Sequence, residues 1–423
     1  MLTRPEKDTG TPRDLTTPLL PLLLEIRDNP IPSKYPHKPT STTSKPLRRA
    51  SVAVIIRIQP HPNTSPLSHS LTPRTLEEFF SQDWVRDGSG EPEVLLIKRA
   101  ARRGDRWTSH VALPGGKRDE GDRGDEDAAV REVREEVGLR MVFPEDVGED
   151  EGWNCLRVGG VPERLVATVW SRTPLMVLCP FVFIYLPPNP PILTLQPTEV
   201  SSAHWIPLAH LLSPSSSAVT TCAVSERLSK ADIRWGLWLW FIMTHTLGKM
   251  EFCGIDLAAG GGWGYYTTGA KDEGGNEEGE KVRLLGKNRK GMVLWGLTHA
   301  VLFDLLDCLP PRGGMVERWR WPTFTAMDVR AFVWIFGWGV RRHGVLGVQG
   351  RRKENTPTHL PLRPMLGEES AVHVLMDGYY PSMRRAVWVG LVVRALVLFW
   401  GLWWMSFWLW VGEGAGAGVV CEL

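Results

Sequence analysis

Between Leu113 and Leu139 the chain places a glycine pair, an acidic loop and an unbroken run of helix formers, and no other stretch of its 423 residues constrains the fold as tightly. Val130, Val133 and Val137 recur at i, i+3 and i+7, which gives a helix one apolar stripe to bury. Asp125 stands where an N-cap belongs, and Glu126 and Asp127 put negative charge in the first turn, where the helix dipole favours it. Gly138 occupies the position of a left-handed C-cap. On another face Glu132, Glu135 and Glu136 stand at i, i+3 and i+4, so three like charges lie side by side and repel. Two readings follow: a solvated acidic face, or a ligand set for a hard divalent cation that takes oxygen ligands and bridges to substrate phosphates. Gly115 and Gly116 just ahead favour the second, because bare glycine backbone can approach a cation or a phosphate closely.

Gly116, followed by Arg131-Glu132-Val133-Arg134-Glu135-Glu136-Val137-Gly138-Leu139, resembles the Nudix box, G-x5-E-x7-R-E-U-x-E-E-x-G-U with U aliphatic. The second half matches at every defined position. The first half is one residue longer than the pattern, and Asp122 or Arg123 stands where the family has its first glutamate. The lengthened loop, with Leu95 to Ala100 upstream, resembles the coenzyme A diphosphatase branch, although Ile97 replaces the usual threonine and Leu113 the usual phenylalanine. Glu199-Val200 with Trp205 to Leu208, and Leu294 to Thr298, are similar to closing elements of that branch.

This resemblance covers roughly 48–312 and implies an α/β (α+β) fold, a Nudix-type α/β/α sandwich with a mixed sheet. It implies a pyrophosphohydrolase acting on phosphorus-containing anhydrides, cleaving a diphosphate bond in a nucleoside-diphosphate-linked metabolite, coenzyme A-like or related. Gly116, Glu132, Glu135 and Glu136 would then hold Mg2+ or Mn2+, with Glu135, Glu136 and Arg131 as the catalytic set. Arg131 would keep the glutamates in register, and one glutamate or Glu199 would take the proton. Lys98, Arg99 and Arg103 would neutralise the substrate diphosphate. The alternative is a catalytically weak Nudix-fold binding or scaffold protein, membrane-tethered; the complete glutamate cluster favours the enzyme.

Around this segment the chain alternates strands and helices. Ser51 to Ile58, Glu93 to Ile97, Leu175 to Tyr185 and Glu251 to Leu257 read as strands, and Gly291 to Leu306 as a buried strand turning into a helix. The Ser-rich stretch 213–217 and the Gly/Glu/Lys stretch 258–290 read as low-complexity inserts. Residues 1–46, rich in proline, serine and threonine, read as a disordered tail, with Pro21 breaking the apolar run Leu19 to Leu24. Glu6 and Asp8 stand where a secretory leader would be basic, and further acids weaken a mitochondrial presequence. A net charge of +2 argues against a polybasic nucleic-acid binder, so a small-molecule substrate is expected. The six cysteines form no C-x-x-C pair, which fits an intracellular, reducing compartment; mitochondrial and peroxisomal sites stay open.

Residues 313–423 carry ten of the 20 tryptophans and no catalytic pattern. Within 386–411 the only charge is Arg394, which could snorkel to an interface. The uncharged stretch Ala395 to Val411 spans about 25 Å as a helix, at roughly 1.5 Å per residue, against about 27–30 Å of hydrocarbon. A transmembrane anchor, a buried or interfacial helix, and a tail foreign to the protein are the readings. As an anchor, with Arg384 and Arg385 before it and only Glu413 and Glu422 beyond, it would leave the rest of the chain on the cytosolic face.

Overall fold

Alternation along the strand read at 51–58 sets the architecture. The computed structural model describes residues 14–35, 47–61, 72–88, 90–101, 108–148, 152–167, 174–224, 241, 245–258, 292–310, 314–354 and 370–416. In chain order these form α1 (Thr16–Asp28), β1 (Arg49–Gln59), α2 (Leu76–Ser81), α3 (Asp83–Arg86), β2 (Glu91–Arg99), β3 (Val111–Ala112), β4 (Gly115–Lys117), α4 (Asp125–Val137), β5 (Cys155–Gly160), β6 (Arg164–Ala167), β7 (Pro174–Tyr185) and β8 (Val200–Pro207). There follow α5 (Leu208–Leu212), a 3-10 turn (Pro214–Ser216), β9 (Ser217–Ala223), β10 (Lys249–Asp256), β11 (Val293–Trp295), α6 (Gly296–Asp307), α7 (Gly314–Glu317), β12 (Thr323–Phe324), α8 (Met327–Glu354), α9 (Ala371–Met376) and α10 (Tyr379–Gly416).

Eight strands form one sheet in the order β3-β2-β1-β7-β5, with β4 also paired to β1, β6 to β7 and β8 to β2. β1 and β7 are parallel and β1 and β2 antiparallel, so the sheet is mixed, as expected. Successive side chains of a strand point to opposite faces. Ala53 and Ile55 of β1, with Leu95 and Ile97 of β2, pack under Ala129, Val133 and Val137 of α4. Val54, Ile56 and Ile58, with Val94 and Leu96, face Leu19 and Leu22 of α1, Phe79 of α2 and Leu302 of α6. Helices thus cover both faces. One charged pair lies inside: Arg57 Nε donates to Glu93 Oε2 at 2.9 Å, and its guanidinium sits 4.9 Å from the centre of the Trp205 ring.

The tail read over 1–46 is corrected in its middle. Thr16–Asp28 is helical, and Leu15, Leu19, Leu22, Leu23 and Ile26 are buried against the sheet. Their spacing is a helical stripe, and its burial outweighs Pro21, whose cost inside a helix is about 3 kcal/mol or more. Asp14 Oδ1 accepts the backbone N–H of Thr16 at 2.8 Å, closing the helix start. The insert read at 213–217 is corrected as well. Ser216 Oγ donates to the Ser213 carbonyl at 2.7 Å, and the turn leads straight into β9, which pairs with β10 from Ser217 opposite Ile255 to Ala223 opposite Lys249. β9, β10, β11 and β12 make a second, four-stranded sheet. The insert read at 258–290 lies, beyond residue 258, outside the described residues.

α8 and the first half of α10 pack through Val329 and Val333 against Ala386 and Val387. The Arg394 guanidinium pairs with Asp328 at the start of α8. Beyond it, every residue from Ala395 to Val411 is exposed. Among the described residues, Ala371–Val411 is the stretch long and apolar enough to cross a membrane, by length and composition.

Candidate active site

β4 lies between β1 and α4, and its glycines make that position accessible. Gly115 sits opposite Val52 at φ +149°, and a Cβ there would lie 2.2 Å from the Ser51 carbonyl oxygen. A Cβ on Gly116 would lie 2.4 Å from the Glu132 carboxyl. Only glycine lets the β4 backbone run this close to both β1 and the acidic face of α4. Gly115 N–H donates to Glu136 Oε2 at 2.8 Å.

The helix begins one residue earlier than read. Gly124 is the N-cap, while Asp125 turns inward to accept from Arg49 Nε at 2.8 Å. Gly138 caps the other end at φ +70°, as its place in the sequence implied.

Of the three predicted glutamates, Glu132 and Glu136 face one cleft and Glu135 does not. A helix turns about 100° per residue, so i+4 lies about 40° to one flank of i and i+3 about 60° to the other, enough to carry Glu135 past the rim of the cleft. Glu136 is only 2% exposed, and its carboxyl is pushed up to about 7. Burial is the main cause; the Gly115 N–H opposes it, and the nearby charges of Glu132 and Glu199 add to it. Glu132 is raised too, by burial first, against the pull of Arg131. The Glu135 side chain is exposed and accepts from Arg131 Nη1 at 2.8 Å.

Arg131 is the staple the sequence predicted, with a wider reach. Its Nε donates to Asp122 Oδ1 at 2.9 Å, its Nη2 to the Lys117 carbonyl at 2.9 Å, and its Nη1 lies 3.1 Å from Glu132 Oε1. Asp122, at the place of the pattern's first glutamate, is thereby committed to holding the loop on the helix. The hydrogen bond from Arg131 keeps its carboxyl below the ordinary range.

The cleft has a volume of about 530 Å3. Arg99, His110, Glu199 and the first residues of α6 with Trp295 before them also line it, and Arg99 and Glu199 act electrostatically on Glu136. Backbone bonds gather these residues: Arg99 N–H donates to the His110 carbonyl at 2.9 Å, and Ala100 N–H to the Glu199 carbonyl at 2.7 Å. The predicted residues Gly116, Glu132, Glu136, Arg99 and Glu199 therefore meet at one cleft. Lys98, one residue before Arg99 in β2, is not among the residues that line it. Arg103 lies outside the described residues. His110, a candidate proton carrier by its place before the glycine pair, and the Trp295 to Thr298 turn, part of the Leu294 to Thr298 stretch, reach the cleft through pairings distant in sequence, with the His110 and Trp295 rings 4.9 Å apart.

A second group of ligand-type atoms, Asp125, Glu163 and Cys179, lies within 4.8 Å of one another. It already holds a cation. Arg49 pairs with both carboxylates and donates to Cys179 Sγ at 3.1 Å. Burial also pushes the Cys179 thiol up to about 12, far from the thiolate that binds metals. These residues are an ion-pair network under α4.

Residues 84–220 match the family model for the NUDIX domain. This segment is of the NUDIX domain type. An uncharacterised protein of Schizosaccharomyces pombe is 29% identical over 364 residues, covering 85% of this chain and 91% of that protein. Mitochondrial coenzyme A diphosphatase NUDT8 of Homo sapiens is 33% identical over 131 residues, 31% of this chain and 48% of the human protein. The match thus spans about half the length of the human relative. A Nudix hydrolase structure from M. smegmatis aligns over 39% of this chain and 73% of its own, at 18% identity and a TM-score of 0.24. The Nudix segment contains α4 and its glycine turn, and it leaves outside both β1, the centre of the sheet, and α6, a wall of the cleft.

Proposed function

We propose that this Nudix protein hydrolyses a diphosphate bond in a nucleoside-diphosphate-linked metabolite of the coenzyme A type, with Mg2+ or Mn2+ held by Glu132 and Glu136. The observation that carries this reading is the buried carboxyl of Glu136 and the partly buried one of Glu132, set against the Gly115-Gly116 backbone in the cleft. Buried anions this close raise each other's proton affinity, which burial has already raised, and a hard dication is the partner that removes the conflict. When bound, the ion supplies Lewis acidity toward a phosphoryl oxygen and toward a water. The remaining work falls to the chain's own groups. Arg99 lines the cleft close enough to act on Glu136, and places positive charge where an incoming diphosphate would meet it. Glu199 faces the same cleft from the β8 side and is our choice for the group that accepts the proton of the attacking water. Arg131 acts at one remove, by keeping the loop and α4 in register. The likeness to the human coenzyme A diphosphatase supports the substrate class. A panel of coenzyme A, ADP-ribose, NADH, dinucleoside polyphosphates and oxidised dNTPs with Mg2+ or Mn2+, read by analysis of the phosphate products, tests it. Coenzyme A is expected to be cleaved at its diphosphate at the highest kcat/KM; preference for any of the others overturns the substrate assignment.

We also infer that α10 tethers the protein to a membrane. A helix apolar on every side, exposed from Ala395 to Val411, is what a bilayer accommodates and water does not. The Arg394–Asp328 ion pair at its base then marks the edge of the hydrocarbon, with the Nudix domain on the cytosolic side.

A further inference from the structure

Beside the carboxylate cleft lies a second cavity, of about 290 Å3, and the two share Trp295, Gly296 and Leu297 as a common wall. The crest of that wall is low. Gly296 has φ +69°, and a Cβ there would meet nothing within 4 Å, so open space lies over the ridge. The cavity is built from elements that meet only in the folded chain: β6 of the first sheet, β10 and β11 of the second, and α6, α9 and the start of α10. Arg164 fastens the junction, donating to Asp304 Oδ2 and to the Ala300 carbonyl, both at 2.5 Å.

The wall has a definite chemical character. Phe252, Trp295, Trp319, Val372 and Met376 all line it, so much of its surface is aromatic or aliphatic. Lys34 and Arg320 put positive charge on the same wall. The carboxylate on this wall, Glu163, is already engaged by Arg49 and by Ser33. Such a surface favours methylenes and carbonyl oxygens over a cation. Complete small-molecule pockets run from about 300 to 1,000 Å3, so this volume suits one arm of a larger ligand better than a whole one.

We propose that this second cavity holds the far arm of the substrate, an elongated uncharged chain of methylenes and amides, while the diphosphate lies in the carboxylate cleft. This rests on the coenzyme A-type reading above and adds to it a site outside the 84–220 Nudix segment. Discrimination between substrates that share a diphosphate would then reside in the second sheet and α9 rather than in the glutamates.

The test fills the cavity from two walls, with Cys253→Phe from β10 and Met376→Trp from α9, in the full-length protein, with circular dichroism melts confirming that each variant is folded. The KM for coenzyme A is expected to rise about tenfold or more, the loss of one modest contact set, with kcat little changed. ADP-ribose, which lacks the arm, is expected to keep its parameters. Calorimetric titration of pantetheine alone is expected to show binding to the wild type that both variants lose. Equal losses for both substrates, unchanged coenzyme A kinetics, or no pantetheine binding to the wild type would overturn the proposal. Should the protein cleave neither substrate, the functional reading above fails, and the pantetheine titration still decides the cavity.

Discussion

Glu136 shows what the site demands of single residues. Its carboxyl is raised from 4.5 to about 7, burial being the largest cause. In metal-free protein the folded state therefore keeps a proton that the unfolded state releases between these values. Stability falls as pH rises through that window, and the penalty is fully present above about pH 7. Glu136→Gln removes it, by an amount on the order of 3 kcal/mol at most. With EDTA present, the variant is expected to melt above the wild type at about pH 8, with most of the gap gone by about pH 5. A gap of the same size at both values would rule out the titration of Glu136 as its source. The glycine pair, the i, i+4 carboxylates and the Arg131 staple were legible in the sequence because they depend on local spacing alone. The role of Glu135 was not, because three acidic positions on a helix do not reveal which of them the sheet will cover. The meeting of Arg99, His110 and Glu199 was hidden for another reason: it depends on how β2 pairs with β3 and β8.

At the scale of elements, β1 could be read from its β-branched run, and α4 from its stripe and caps. α1 could not, since proline and threonine around its leucines resemble an unfolded tail until the sheet surface is there to receive them. Leu22 is 1% exposed in that interface. Leu22→Ala is therefore expected to destabilise the protein by about 2–5 kcal/mol, as for a core leucine. Denaturant unfolding checks this; a loss below about 0.5 kcal/mol, the size of an ordinary surface change, would mean that α1 does not belong to the core. β9 was missed because Ser217–Ala223, with one serine, two adjacent threonines and small residues, has no clear alternation and gains meaning only beside β10.

The whole molecule joins a Nudix sheet to a second sheet, with an exposed apolar helix beyond them. The tether is expected to keep the full-length protein in the pellet after carbonate extraction, and removal of everything after Arg394 to release it with unchanged kcat. Full-length protein in the supernatant would end the membrane reading. The chemistry itself rests on the two carboxylates under the cleft. It is tested most directly by turnover of coenzyme A by the full-length wild type and Glu136→Gln, each titrated with Mg2+ after chelation. The expected result is metal-dependent cleavage of the diphosphate by the wild type and a kcat lower by roughly a hundredfold or more in the variant, with the fold intact, as for loss of an interaction made in the transition state. Near-normal turnover by Glu136→Gln, or wild-type cleavage that persists without divalent metal, would contradict it.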